Sequence, residues 1–370
     1  MNNTVNKYNY HENSKSLYKN LNHYNNRRDG TIIDKIRIGK GYELNIDDIK
    51  ENIETFSMDR YGSRFIQTRY EASNKDEKID IFLCLLPHAI KLSQDIFGNY
   101  VIQKIITSSN EKQIKQLLNA ISGSVLVLAL NQYGCRVIQK AIEFCDYDGN
   151  VIIFNEIKKD ILKCTCNEHG NHVIQKMIPK LSKEYHRYIV DSILKNDNLL
   201  YEISLNQYGC RVIQVMIEKF DGENKELLME KLQKILKPLI LNEFGNYVAQ
   251  KMFVYGNAID KQLILTCIRN DLLNFSRNKY ASNVIEICLE KGSSDDIELI
   301  TKKVITEPFD KIFYPMIGDQ YGNYVIQKML DKSNTVTKKK LISGIKPMKD
   351  QFTKQSFYRN ILLKAQLQDK

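Results

Sequence analysis

Gly98-Asn99-Tyr100-Val101-Ile102-Gln103 decides the fold, because the pattern of its last five residues returns seven more times along the chain. The other copies are Ser63-Arg64-Phe65-Ile66-Gln67, Cys135-Arg136-Val137-Ile138-Gln139, Asn171-His172-Val173-Ile174-Gln175, Cys210-Arg211-Val212-Ile213-Gln214, Asn246-Tyr247-Val248-Ala249-Gln250, Ser282-Asn283-Val284-Ile285-Glu286 and Asn323-Tyr324-Val325-Ile326-Gln327. A glycine precedes seven of the eight; Ala281 stands in its place before the seventh. It allows a tight turn and close helix approach. The apolar third and fourth places barely change, while the polar first, second and fifth vary in an ordered way. Packing alone does not generate that variation; a reading surface does.

Counted between first places, the spacings are 36 (63 to 99, and likewise to 135 and 171), 39 (to 210), 36 (to 246 and to 282) and 41 (to 323). A period in this range means a solenoid of supersecondary units, each stacked on its neighbours. Within the second unit, His88–Gln94 and Ile96–Ile106 carry helical apolar spacing. Asn110 caps a third segment running to about Ile121, with Gln113 in the capping-box place. Glu202–Gln207, Val212–Phe220 and Asn224–Leu236 repeat the arrangement, so each unit reads as three helices. The longer spacings are loop insertions, which cost little closure entropy; one is placed at Asp221-Gly222-Glu223-Asn224, the other near Glu307-Pro308. Residues 1–40 lack apolar periodicity, and nine of the first 26 are Asn, so they read as a disordered tail. Ile46–Phe56 should cap the first unit, and Leu341 to about Leu367, centred on 343–370, should close the last.

Bulk properties narrow the partner. The 370 residues are 43% hydrophobic, enough for a folded body, and carry a net charge of +10 with a pI near 9.0. That balance favours a polyanion, nucleic acid first. The 8 cysteines are scattered, and Cys135 and Cys210 sit in the pattern itself, which argues for free thiols rather than a disulfide framework. No basic-then-apolar leader opens the chain. Apolar runs such as Val125–Leu130 are far shorter than a membrane span. The expectation is a soluble, cytoplasmic monomer that engages no membrane.

The varying places have a specific chemistry. On a helix, places 1 and 5 lie one turn apart on one face. Place 2 is turned about 100° from place 1 and projects toward the neighbouring unit. Place 2 holds Arg64, Tyr100, Arg136, His172, Arg211, Tyr247, Asn283 and Tyr324. All but Asn283 are rings or guanidinium planes, on which bases stack. Places 1 and 5 hold small or hydrogen-bonding groups. Glu286 is diagnostic: a carboxylate only accepts, and guanine offers two donors on its Watson–Crick edge. Gln in the other seven both donates and accepts, which suits adenine or uracil. Asn at place 1 can reach a small pyrimidine and bond its carbonyl, whereas Ser or Cys leaves room for adenine.

On these residues the chain resembles the Pumilio (PUF) RNA-binding proteins, over roughly residues 41–370, and the order of all eight triplets matches. The resemblance implies an all-α, right-handed, armadillo-like α-solenoid of eight three-helix repeats, crescent-shaped and capped at both ends. It implies one base per repeat on an antiparallel RNA. Asn323 with Gln327 would read U, Ser282 with Glu286 G, Asn246 with Gln250 U, and Cys210 with Gln214 A. Asn171 with Gln175 would read U, Cys135 with Gln139 A, Asn99 with Gln103 U, and Ser63 with Gln67 the last A. The implied site is 5′-UGUAUAUA-3′ in messenger RNA 3′ untranslated regions, with repression or decay through deadenylase or translational-repression proteins on the convex face. Two departures avoid the base-reading places: Ala249 is less bulky than the usual branched residue, and Val215 replaces the basic residue that follows Gln103, Gln139, Gln175, Gln250 and Gln327.

Rival readings are an armadillo-type protein–protein scaffold, which needs no ordered triplets, and a nucleolar PUF-like ribosome-assembly factor, which would carry more repeats and degenerate triplets. The lysines after place 5, namely Lys104, Lys140, Lys176, Lys251 and Lys328, either line a phosphate path or form i,i+4 pairs. Cys164-Thr165-Cys166 with His169 and His172 has zinc-ligand composition. Thiols two residues apart on a helix diverge by roughly 200°, and His172 is a stacking residue, so no metal or other cofactor is expected. No nucleophile, base and orienter stand at catalytic spacing, so no enzyme is expected either.

Overall fold

The structure, a computed structural model, describes residues 27–37, 44, 47–348 and 356–365, which are helical or in turns, without strands. None of the helices among the described residues is long and apolar enough to cross a membrane. The chain forms two compact units. One holds residues up to Leu128 together with Gln132–Cys145; the other holds Ala129–Asn131 and the residues from Asp146 onward.

Each repeat is three helices, as the period implies. In repeat 2 these are Ala89–Ser93, continuing a 3-10 turn at Leu86–His88, then Gly98–Ser108 and Glu111–Ala120. In repeat 5 they are Asp197–Ser204, Gly209–Lys219 and Gly222–Gln233. The capping box of Asn110 with Gln113 forms as read, and Asn74 with Glu77, Asn257 with Asp260 and Ser293 with Asp296 build the same device. The middle helix carries the five-residue pattern. Its third and fourth places are buried in repeats 2 to 8. In repeat 1 Ile66 is buried and Phe65 only half-buried.

The middle helices start at a side-chain-capped turn. In repeats 1, 2 and 4 to 8 the residue four before place 1 is Asp59, Asp95, Asn167, Asn206, Asn242, Asn278 or Asp319. Its side-chain oxygen accepts the N–H of the second and third residues following it, at 2.7–3.0 Å. Two of the donors that a helix start leaves orphaned are thereby satisfied. The turn sets the glycine against the preceding short helix. A Cβ on Gly62 would lie 2.3 Å from the carbonyl oxygen of Phe56, and one on Gly322 2.6 Å from that of Met316.

Neighbouring middle helices are tied by ion pairs. Lys104 reaches Glu71 at 2.9 Å, Lys251 reaches Glu218 at 2.8 Å, and Lys328 reaches Glu290 at 3.0 Å. Each lysine follows place 5 of one repeat, and each glutamate lies in the ninth place of the repeat before it. These three lysines pair with the preceding repeat rather than along their own helix; Lys140 pairs locally, with Glu143 at 3.4 Å. The departure at Val215 has the same logic, because the ninth place before it is Pro179, which offers no carboxylate.

Three boundaries differ from the sequence reading. Arg27–Arg37 is a helix, so the expected disorder does not hold there; Ile32, Ile33 and Ile36 share a half-buried stripe and the helix packs on Arg60–Ala72. Residues 1–26 of the tail lie outside the described residues. The 39-residue spacing arises at 194–197, where Asn196 caps Asp197–Ser204, and not at Asp221, which lies beyond that interval and flanks the third helix of repeat 5. The 41-residue spacing falls at 307–312, as expected. The closing cap is the helix Ser356–Lys364, packed on the middle helix Gly322–Lys332 of repeat 8; residues 349–355 and 366–370 lie outside the described residues.

Gly62→Ala should destabilise the fold by about 1–3 kcal/mol, since the clash is with backbone and cannot be relieved by a side-chain rotation. Urea unfolding checks this; an unchanged midpoint and slope would show that the short helix can retreat freely.

Candidate nucleic-acid interface

Three side chains of each middle helix differ sharply in environment. Place 1 is buried in all eight repeats: Ser63, Asn99, Cys135, Asn171, Cys210, Asn246, Ser282 and Asn323 are no more than 4% exposed. Place 2 is exposed in all eight, at 48–53% for Tyr100, Tyr247 and Tyr324. Arg64, Arg136, His172, Arg211 and Asn283 share that exposure. Place 5 is half-buried at Gln67, Gln103, Gln139, Gln175, Gln214, Gln250 and Glu286, and buried at Gln327. A floor of small polar groups thus lies beneath a half-open amide or carboxylate, beside an open plane.

Hydrogen bonding sorts the repeats into three kinds. In the Asn repeats, the Asn amide nitrogen donates to the carbonyls of the residues three and four before it, as Asn99 does to Ile96 and Asp95 at 3.0 and 2.8 Å. Asn171, Asn246 and Asn323 do the same. The Asn Oδ1 then accepts one hydrogen from the place-5 Gln, at 2.8–2.9 Å in Gln103, Gln175, Gln250 and Gln327. Both Asn amide hydrogens are engaged, so the reading in which Asn bonds a pyrimidine carbonyl is corrected. What faces outward is one Gln N–H, the Gln Oε1 and a spare lone pair on the Asn oxygen. That set matches an edge with an N–H beside a carbonyl.

In the second kind place 1 is Ser or Cys, and in repeats 1 and 3 the Gln is held by main chain. Gln67 and Gln139 donate to the carbonyls of Ser63 and Cys135, each at 3.1 Å. The thiols of Cys135 and Cys210 point back to the Gln132 and Gln207 carbonyls at 3.7 Å, and burial pushes both thiols up, so they are neutral. Gln67 and Gln139 each keep one donor and one acceptor above a smaller floor. Adenine's N1 and N6 amino group are the complementary pair.

Repeat 7 is the third kind. Ser282 donates to the Lys279 carbonyl at 3.2 Å, and Glu286 has no hydrogen-bond or ion-pair partner among the described residues. Burial pushes its carboxyl above the ordinary range, while Lys328 and Lys364 pull the other way. A half-buried carboxylate without a donor is costly. It is poised for an incoming edge with two donors.

His172 is neutral at pH 7: burial lowers its pKa first, then the charges of Arg211 and His169. It can stack as an uncharged ring. The zinc-like composition nearby is not a cluster, since Cys164 is fully buried, with its thiol pushed up to about 11, while His172 is exposed. Sequence reasoning missed the Asp or Asn four residues before place 1. The signal was available, as the helix-start preference of those residues recurs at one offset in every copy, including Asn131.

The fold and site define a class, a helical-repeat protein in which each middle helix presents a buried first place, an exposed second place and a fifth place at the surface of the core. Eight segments match the Pumilio-family RNA binding repeat: residues 52–86, 88–122, 124–158, 160–194, 200–233, 238–268, 271–305 and 313–346. The chain belongs to the Pumilio (PUF) family. PUF-8, solved in complex with PBE-RNA, is 35% identical, with 87% of this chain and 94% of that chain covered and a TM-score of 0.82. The Puf3 RNA binding domain, solved on a Cox17 RNA 3′ UTR recognition sequence, is 31% identical, with 90% and 99% covered and a TM-score of 0.82. The mRNA-binding protein PUF3 of Saccharomyces cerevisiae is 32% identical over 101 residues, which are 25% of this chain and 12% of that protein. A Pumilio domain-containing protein of Schizosaccharomyces pombe is 28% identical over 50% of this chain and 27% of its own length. The matches span only 12% and 27% of the lengths of these two full-length relatives.

Because its folded pKa is raised, Glu286 contributes stability below its unfolded pKa that is lost as pH rises through the folded value. Glu286→Gln should therefore melt higher than the parent at pH 7, with the gap closing as the pH falls toward about 4. Thermal melts across that range check it; a lower melting temperature at pH 7 would mean the carboxylate has a stabilising partner.

Proposed function

We propose that this chain binds single-stranded RNA sequence-specifically, one base per repeat, with the RNA antiparallel to the protein. The observation that carries the reading is the threefold sorting of the repeats. Amide-paired Asn/Gln in repeats 2, 4, 6 and 8, Gln beside a Ser or Cys in repeats 1, 3 and 5, and unpartnered Glu286 in repeat 7 follow an order that corresponds to 5′-UGUAUAUA-3′, read from repeat 8 to repeat 1. The exposed place-2 groups would supply stacking planes between bases. Repeats resembling these have been solved on 3′ UTR sites, which supports a messenger RNA 3′ untranslated region as the target. On this reading the protein acts in the cytoplasm as an adaptor without chemistry of its own, and repression or decay follows from proteins it recruits.

Selection from a random RNA pool, followed by sequencing, tests the octamer directly. An armadillo-type scaffold would enrich nothing, and a ribosome-assembly factor would enrich no ordered octamer. Two substitutions test the roles. Ser282→Asn with Glu286→Gln should move the second base from G toward U, with a wrong-base cost of about 1–3 kcal/mol; a double variant that still prefers G removes the edge-reading role at repeat 7. Tyr247→Ala should weaken binding by about 1–3 kcal/mol through lost stacking, and an unaltered Kd would contradict that role.

A further inference from the structure

Tyr61 differs from its counterparts. It lies two residues before place 1 of repeat 1, a place filled elsewhere by rings such as Phe97, Tyr133, Tyr208 and Tyr321. In repeats 2 to 8 that ring is half-buried, whereas Tyr61 is 41% exposed. At repeat 1 the helix Arg27–Arg37 packs on the middle helix instead, and it brings Arg37 to the ring rather than covering it. The Arg37 guanidinium carbon is 5.8 Å from the ring centroid and that of Arg60 5.9 Å. Arg37 is held by Asp34 at 3.5 Å and Asp59 at 3.4 Å. Neither Arg60 nor Arg64 has a carboxylate partner among the described residues, so the group keeps a positive excess. Tyr61 and Arg64 are i and i+3 on one helix, hence on one face a turn apart.

We propose that Tyr61, Arg37 and Arg60 form a ninth subsite, which takes one nucleotide on the 3′ side of the octamer. This rests on the proposed antiparallel reading, in which repeat 1 holds the last base against Arg64. The next nucleotide of the same strand then passes Tyr61. Its base lies on the exposed ring and the guanidinium planes, and its phosphate meets Arg60. An RNA continuation is favoured over an acidic peptide because the patch adjoins the place-2 group that stacks the last base. The helix Arg27–Arg37 contains no Asn or Gln to read an edge, so the subsite accepts any base, as stacking platforms do.

The test compares the full chain's Kd for seven RNAs at one salt concentration: the octamer UGUAUAUA, the octamer with one 3′ nucleotide of each of the four bases in turn, with one 3′ abasic residue, and with one 5′ nucleotide. Any 3′ base should tighten binding about tenfold, while the abasic and 5′ extensions gain little. Tyr61→Ala and Arg60→Ala should each remove most of the gain and leave the octamer Kd as it was. A 3′ nucleotide that adds no more than the abasic or 5′ extension overturns the subsite and leaves the octamer reading standing; so does full retention of the gain in Tyr61→Ala. An octamer bound no better than a scrambled sequence overturns the reading itself and the subsite with it. Circular dichroism confirms that Tyr61→Ala is folded; if it is not, Arg60→Ala and the comparison of RNAs on the unaltered chain decide.

Discussion

The capped turn ahead of each middle helix is the constraint on which the rest depends. A short Asp or Asn side chain holds two N–H groups and starts the helix at a defined residue. The missing glycine Cβ then lets that start press against the carbonyl of the preceding short helix. With the start and the contact both set, 3.6 residues per turn fix where places 1, 2 and 5 point. Repeat 7 separates the two parts. Ala281 replaces the glycine, yet Asn278 still accepts the N–H groups of Tyr280 and Ala281 at 2.9 and 3.0 Å. The side-chain cap is therefore sufficient to place the helix, and the glycine serves closeness of approach.

Burial makes the polar groups at places 1 and 5 behave differently from their solution chemistry. Asn at place 1 is so enclosed that its donors turn to the main chain, and it acts on the outside mainly through the Gln that it holds. Glu286 is the reverse case. It has no donor in the free protein and pays a desolvation cost that a two-donor ligand would relieve. Stability and recognition oppose each other at that position, as expected where a polar group is kept unsatisfied for a partner.

A second set of contacts sets repeat against repeat. Where the lysine after place 5 meets a glutamate in the preceding repeat, it forms a bridge at 2.8–3.0 Å. Glu218 and Glu290 each take two lysines and are held down to about 2. Exposed pairs of this kind add little stability each, and their value lies in register between neighbouring helices. Cations engaged in this way are less available to phosphate, which leaves the guanidiniums of place 2 as the more accessible positive groups on that face.

The sequence by itself determined the number of repeats, the three-helix unit and the inward third and fourth places from repeat 2 onward. These follow from local backbone geometry, which eight copies spaced 36 to 41 residues apart display in turn. It did not determine the partners of Lys104, Lys251 and Lys328, the engagement of the Asn donors by main chain, the helix at Arg27–Arg37 or the openness of Tyr61. Each of those depends on which group from another helix or turn arrives beside it. Ile32, Ile33 and Ile36 are too few to announce a helix until Arg60–Ala72 offers them a surface. Tertiary structure decided them because burial and ion pairing depend on which groups face each other in space, and the chain's periodicity brings candidates near without stating which of them pair.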